Sequence, residues 1–442
     1  MGRTSISITQ KNHALKRERG RHQTSAPPDE TIVARLQQIL DPATFGQMDL
    51  FRQLGLRTRS LGLPTMVAFV LSLIWRQIGS VSEAVRVLER EGLLWTQKLK
   101  VTQQSVSQRL TALPAVLFEN ILHEILPLMR ARSQARLHTL PEHLMWARKH
   151  FTDMLIADAS TLDALIKKTG LMADAAGPLL GGKIIALLEV CSHQPRRIIY
   201  EPEAASNEQR YWQTIADTLI EGSLLLLDMG FTNYGWFDKL SAKRVWFITR
   251  ARTNMAYTVT TVLSHNGGIR DMLVNIGSGA TRCRYPMRLV EIDFKGKTYQ
   301  YLTNMIDPRR LPALYVGALY RERWRIEEAF LLVKRLLGLA YFHTTSLNAV
   351  QLQLHATWIL YAVLVDLSEQ IAKQLGCAPG EISLEMTYRA LYHFTQARKR
   401  GETDDLVGYL CAPENKDSLG IVKRKRNKNP KPRKVLEIAE DP

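Results

Sequence analysis

YRERWRIEEAFLLVKRLLGL, residues 320–339, is the most informative stretch of the chain. Within it Tyr320, Arg323, Glu327 and Lys334 are separated by two, three and six residues. On one continuous helix of 3.6 residues per turn the four fall within about 60° of arc. Ile326, Ala329, Phe330, Val333 and Leu337 line a different side. A helix over about Leu311–Leu337 therefore has an apolar face for a core and, beside it, an acid, two bases and a phenol in one row. A row of that kind suits a phosphate-handling site. Glu328 lies about 100° around the helix from Glu327 and points elsewhere.

Two acids upstream sit where β-rich runs stop. FTDMLIADAST, residues 151–161, reads as a strand ending at Asp158, and SLLLLDMGF, residues 223–231, as a strand ending at Asp228. The unbroken apolar run before Asp228 suits a central strand covered on both faces. Three carboxylates from separated elements can converge on two divalent cations about 3.5–4 Å apart, which serve in-line phosphoryl transfer. Taken singly, each acid also has a plain reading. Asp158 or Asp228 suits a turn or a helix cap, and Arg323 with Glu327 suits a surface ion pair four residues apart. No GxxxxGK[ST], GxSxG or HExxH motif offers a competing chemistry.

Around these motifs the chain has a mixed texture. Residues 29–147 read as helical. Within them Val81–Trp95 followed by Val101–Leu113 suggests a helix-turn-helix, with Arg109 among the residues offered to DNA. From about 148 the pattern turns to β, with Lys183–Val190 and Arg196–Pro202 as a hairpin. VWFITR, YTVTTVL, DMLVNI, MRLVEIDF and TYQYLTN supply more strand than a connection to Glu327 needs, so a β-rich insertion is expected at about 235–305. A long helix over about Leu347–Leu375 follows.

Composition narrows the partners. The chain has 442 residues, net charge +17 and a pI near 9.7, which points first to a polyanion. Charge gathers at the ends: Arg3, Lys11, Lys16, Arg17, Arg19 and Arg21 near the start, and eight bases without an acid in 423–434. Basic arms of this kind suit disordered, DNA-binding tails. Cys191, Cys283, Cys377 and Cys411 form no CxxC pair, which argues against a zinc ribbon or disulfide framework and fits a reducing cytoplasm. No secretory signal or membrane span is expected. The longest apolar stretches, Thr65–Trp75 and Ala356–Val365, run to about ten residues, too short to cross a bilayer.

With these residues assembled, the chain resembles the DDE transposases of the type-4 bacterial insertion-sequence family, which share a Y-(2)-R-(3)-E-(6)-K signature. The resemblance covers about 148–345. It implies an α/β fold: an RNase H-like catalytic core with an inserted β-rich subdomain, flanked by helical N- and C-terminal regions. The expected organisation is a basic arm at 1–28, a helical DNA-binding region at 29–147, the catalytic domain at 148–345, a helical region at 346–415 and a basic tail at 416–442. Carried over by position, Asp158, Asp228 and Glu327 are the catalytic metal ligands, with Mg²⁺ as cofactor and Mn²⁺ as its substitute. Tyr320, Arg323 and Lys334 hold the DNA backbone near the cut.

The same resemblance implies cut-and-paste transposition. Cleavage at the element's ends frees a 3′-hydroxyl, which then attacks a phosphate of the flanking strand or of target DNA. Where a hairpin forms, an aromatic residue holds an unstacked base, and Trp324 and Tyr299 are the candidates. The implied partners are double-stranded DNA and a second copy of the chain; the implied location is the bacterial cytoplasm, at the nucleoid. Two other readings fit the residues: an RNase H-like nuclease that cuts without joining, and a DNA-binding protein without catalysis.

Overall fold

The computed structural model describes residues 27–423 apart from 58, 137–138, 162–181, 204–207, 280–281 and 337–346. Most of the basic arm at 1–28 and of the basic tail at 416–442 lies outside the described residues, as does Leu337.

Nine strands form one mixed sheet in the order β3-β2-β1-β4-β5-β9-β8-β7-β6. β1 (Met154–Thr161), β2 (Lys183–Glu189) and β3 (Pro195–Glu201) run antiparallel. β4 (Leu224–Leu227) and β5 (Trp246–Arg250) run parallel to β1. β6 (Tyr257–Asn266), β7 (Ile269–Ile276), β8 (Met287–Phe294) and β9 (Lys297–Thr303) form a meander joined to β5 through β9. The protein is thus a mixed α/β structure with a large sheet and many helices.

β4 shows why its sequence is uniformly apolar. Leu224 and Leu226 enter one core, while Leu225 and Leu227 enter another on the opposite face. Alternate residues of a strand point to opposite faces, so a strand covered on both sides has no polar position to offer. Trp212–Thr218 and Tyr234–Ala242 cover one face, packing Ile215, Trp236 and Phe237 against it. The other face carries Val116–Gln134, Ala313–Arg321, Trp324–Leu331 and Leu347–Leu375.

The expected β-rich insertion does not make a sheet of its own. β5 belongs to the central parallel set, and the added strands β6–β9 extend that same sheet through the β5–β9 pairing. Arg288 on β8, wholly buried, makes a two-point pair with Asp271 on β7 at 2.7 Å and donates to the Leu311 carbonyl at 2.6 Å. The meander therefore braces the start of the helix Ala313–Arg321.

The flanking helical regions share one core. Residues from Ile32 to Ile421 belong to a single apolar cluster that includes the sheet's inner face. The helix Leu347–Leu375 forms its centre. It is long and apolar enough to cross a membrane, and 94% of its most apolar window is buried inside the protein. Ala356–Val365, short on its own in the sequence, is the middle of this helix. Its Asp366, wholly buried, is paired with Arg136 at 2.7 Å and Arg35 at 3.0 Å, which binds both ends of the N-terminal helical layer to it. Tyr388 adds a second tie, donating its hydroxyl to the Trp75 carbonyl at 2.5 Å with the two rings edge to face. Tyr388→Phe leaves that carbonyl unpaired in the core, and urea unfolding should show a loss of about 1–2 kcal/mol.

The segment read as a helix-turn-helix differs from that motif. Val81–Arg90 and Gln103–Ala112 are capped by Ser80 and Thr102, but an extended connection spans 91–102, with a Leu93–Thr96 bridge, where the motif has a tight turn. Thr102, Gln103, Ser105 and Gln108 are exposed. Arg109 is half-buried and donates to the Arg57 carbonyl at 3.4 Å.

Candidate functional site

The parallel pairing of β1 with β4 ends at Ala157 and Leu227. Asp158 and Asp228 are the next residue on each strand, so the register places them side by side where the two strands part. β1 does not stop at Asp158, as its sequence suggested. It runs on to Thr161, held by β2, with Asp158 opposite Ala186. Asp228 leaves β4 and accepts a hydrogen bond from the Gly230 amide at 3.2 Å, capping the turn Met229–Phe231. The plain capping reading and the placement beside Asp158 therefore hold together.

The continuous helix expected over Leu311–Leu337 is broken. Ala313–Arg321 ends, Trp324–Leu331 begins, and a wider π-helical turn covers Leu332–Leu336. At the break, Glu322 is held by His143 at 3.2 Å and Arg325 at 3.2 Å. Burial alone would raise its carboxyl. The His143 hydrogen bond and the Arg325 charge outweigh burial and bring it down to about 2. Lys334 lies within the π turn. Its ammonium reaches back to β1, donating to the Ser160 hydroxyl and, at 3.0 Å, to the Thr161 carbonyl.

The break sets Arg323 at the start of the second helix, and its guanidinium becomes the hub of the site. It lies 3.2 Å from Asp158, 2.9 Å from Glu327 and 3.8 Å from Asp228. Its plane is flanked by the rings of Tyr320 at 5.8 Å and Trp324 at 5.5 Å. Tyr320 is buried, with its hydroxyl beside the Arg323 guanidinium. Three carboxylates from β1, the end of β4 and a distant helix thus share one cation. Burial pushes Asp158 up to about 7, against the pull of Arg323 and of the Ala159 amide, with Asp228 and Glu327 adding to the rise.

The structure gathers Asp158, Asp228, Glu327, Tyr320, Arg323 and Lys334 in one place, with Trp324 at its side. Arg109 lies on a separate helix and donates to the Arg57 carbonyl at 3.4 Å. Tyr299, on β9, stacks under Arg250. Glu328 turns away, to Arg325 at 3.3 Å and Lys423 at 2.8 Å. The sequence pattern left out Ser160 and Thr161, the partners of Lys334. Their position, two and three residues past Asp158 on the same strand, was the only signal for them.

As a donor set, three carboxylates around one guanidinium suit a hard divalent cation, which takes oxygen ligands and needs few of them from protein. Among the described residues, however, no three His, Cys, Asp or Glu side chains close on one metal-sized space. The Arg323 guanidinium occupies the space between these three.

Two comparisons with known proteins place the chain among its relatives. Residues 151–363 match the family model of the transposase DDE domain. That span begins just before β1 and takes in all nine strands, the broken helix pair and half of the long helix. Over 201 residues the chain is 31% identical to a Sinorhizobium fredii (strain NBRC 101917 / NGR234) protein named "Putative transposase y4zB", covering 43% of this chain and 55% of that protein. The chain thus spans about half the length of this curated relative. Both comparisons support a transposase.

Proposed function

We propose that the protein is a DDE transposase of the type-4 insertion-sequence family, with an RNase H-like core, that cleaves the ends of its element and joins them to target DNA. The observation that carries this reading is the convergence of Asp158, Asp228 and Glu327 from three separate elements on one site. The strand order β3-β2-β1-β4-β5, antiparallel then parallel, supports the core assignment. The transposase DDE domain match over the same residues supports the chemistry.

In this reading Asp158, Asp228 and Glu327 hold Mg²⁺, or Mn²⁺ in its place. Bound there, the cations would supply activation of the attacking oxygen and stabilisation of the leaving one. The protein's own part is to place the carboxylates and orient the DNA. The parallel register of β1 and β4 sets the first two acids side by side, and the broken helix brings the third to them. Arg323 keeps the three from repelling one another until substrate arrives, then turns its fork to a phosphate, which a guanidinium matches in two-point geometry. Lys334 adds a point charge on the DNA backbone, and the element ends are paired by a second copy of the chain.

Incubating the protein with DNA carrying its element ends and Mg²⁺ tests this. Cut ends and joined products are expected; cut ends alone would select the nuclease reading instead. A protonated carboxyl does not bind a cation, so below about pH 7 the competent fraction of Asp158 falls about tenfold per pH unit. Cleavage at subsaturating Mg²⁺ should fall with the same slope, and a profile flat from pH 8 to pH 5 would remove Asp158 from the cation site. Lys334→Ala should weaken end binding and lower the salt slope by about one. An unchanged slope would mean that Lys334 stays with Ser160 and Thr161 in the complex.

A further inference from the structure

A cavity of about 510 Å³ opens at the other end of β1, where the helix Val116–Gln134 meets Phe151–Met154 and the turn between β2 and β3. Asp153 and Asp158 are five residues apart on an extended chain, so the cavity lies roughly 15 Å from the carboxylate site and is separate from it. Its wall is mixed. Leu126, Pro127, Leu140 and Phe151 are apolar, while His123, Arg130, Arg148, Gln194, Arg196 and Arg197 present polar heads.

The carboxylates that line it are already satisfied. Asp153 accepts from Arg196 at 2.8 Å, Arg130 at 3.4 Å and the Met154 amide at 3.1 Å. Glu189 takes the amides of Cys191 at 3.0 Å and Ser192 at 2.5 Å. Glu369 takes Ser133 at 2.5 Å and Arg136 at 3.3 Å. Positive charge is left over. Arg130 and Arg196 share the single Asp153, and neither Arg148 nor Arg197 has an ion pair among the described residues.

Three polar atoms of the lining residues are buried and have no hydrogen-bond partner among the described residues. They are the Arg197 Nε, the His123 Nε2 and the Gln194 Oε1, on a side chain only 3% exposed whose amide nitrogen is committed to the Ala362 carbonyl at 3.3 Å. Buried groups of this kind are normally bonded. The accessible lining, with its surplus arginines and apolar wall, asks for an anion that carries an apolar or aromatic body.

We propose that this cavity binds a small phosphate ester of nucleoside monophosphate size. Arg148 at the mouth and Arg197 within take the phosphate. The body lies against Leu140 and Phe151. The volume is within the range of small-molecule sites. The inference stands apart from the transposase reading, because none of its residues belongs to the carboxylate site.

Calorimetric titration of the full chain with AMP, adenosine and inorganic phosphate tests it. AMP should bind with a dissociation constant below about 1 mM, phosphate more weakly, and adenosine without measurable heat. Arg197→Gln and Arg148→Gln should each weaken AMP about tenfold or more, the loss expected for one charge-assisted contact. Thermal unfolding checks that each variant is folded. No AMP binding up to 10 mM, or equal binding by the arginine variants, would overturn the proposal. The second result would assign the affinity to the basic ends of the chain.

Discussion

Glu327→Gln and Asp228→Asn should each lower cleavage at the element ends by about a thousandfold or more, with end binding kept. Each change removes a charged oxygen that a divalent cation needs while leaving the side chain's volume almost the same. Cation stabilisation of a phosphoryl-transfer transition state is worth several kcal/mol, and about 4 kcal/mol corresponds to three decades in rate. Binding should survive, because neither carboxylate attracts a polyanion. Removing one of them even lightens the negative field beside Arg323, which lies 2.9 Å from Glu327. Gel shift and strand-cleavage assays on the same DNA measure both properties. Cleavage within tenfold of the parent in either variant would exclude that residue as a cation ligand. Loss of binding together with cleavage would mean instead that the residue serves structure.

Arg323→Ala should destabilise the protein by about 2–3 kcal/mol, and divalent cations should restore much of the loss. Removing one partner of a buried ion pair leaves an uncompensated charge, at about 3–5 kcal/mol when the site is dry. The lower figure applies here because Asp228 and Glu327 are 42% and 39% exposed, and water screens them. Asp158, at 17%, carries most of the effect. Without the guanidinium, three carboxylates face one space, and Mg²⁺ or Mn²⁺ becomes their natural counter-ion. Binding to the folded state alone raises stability with the logarithm of ligand concentration. The melting temperature of Arg323→Ala should therefore climb with Mn²⁺ more steeply than that of the parent chain. Arg323→Lys, which keeps the charge but not the fork, should fall between them. A variant as stable as the parent, with no steeper response to Mn²⁺, would show that Arg323 is not the hub of the site.

Most of the site's membership was legible in the sequence, but little of its wiring was. The spacing of Tyr320, Arg323, Glu327 and Lys334 marked one segment, and the runs before Asp158 and Asp228 marked two strands. The spacing argument assumed one unbroken helix. The structure reaches the same convergence by another route, since the break at Glu322 and the π turn at 332–336 re-aim Arg323 and Lys334. At that break Glu322 is bonded to His143, 179 positions away in sequence, which no local pattern reports. The Arg323–Glu327 pair was visible as a four-residue step, whereas the bond from Arg323 to Asp158 crosses 165 positions. The β-rich stretch was recognised as strand. Its union with the central sheet rests on the pairing of β5 with β9, a matter of register between edges.

Local chemistry and periodicity, then, determined which residues are strand, which are helix, which faces are apolar and which acids stand out. These follow from side-chain direction along a single element, with period two in a strand and 3.6 in a helix. Tertiary structure decided that one buried arginine sits among all three acids, that a helix apolar enough for a membrane is the centre of a core, and that both helical ends share that core. Charge compensation and burial are properties of neighbours in space. A chain specifies them only once it has folded, because the free energy of a buried charge is set by what surrounds it rather than by what precedes it in sequence.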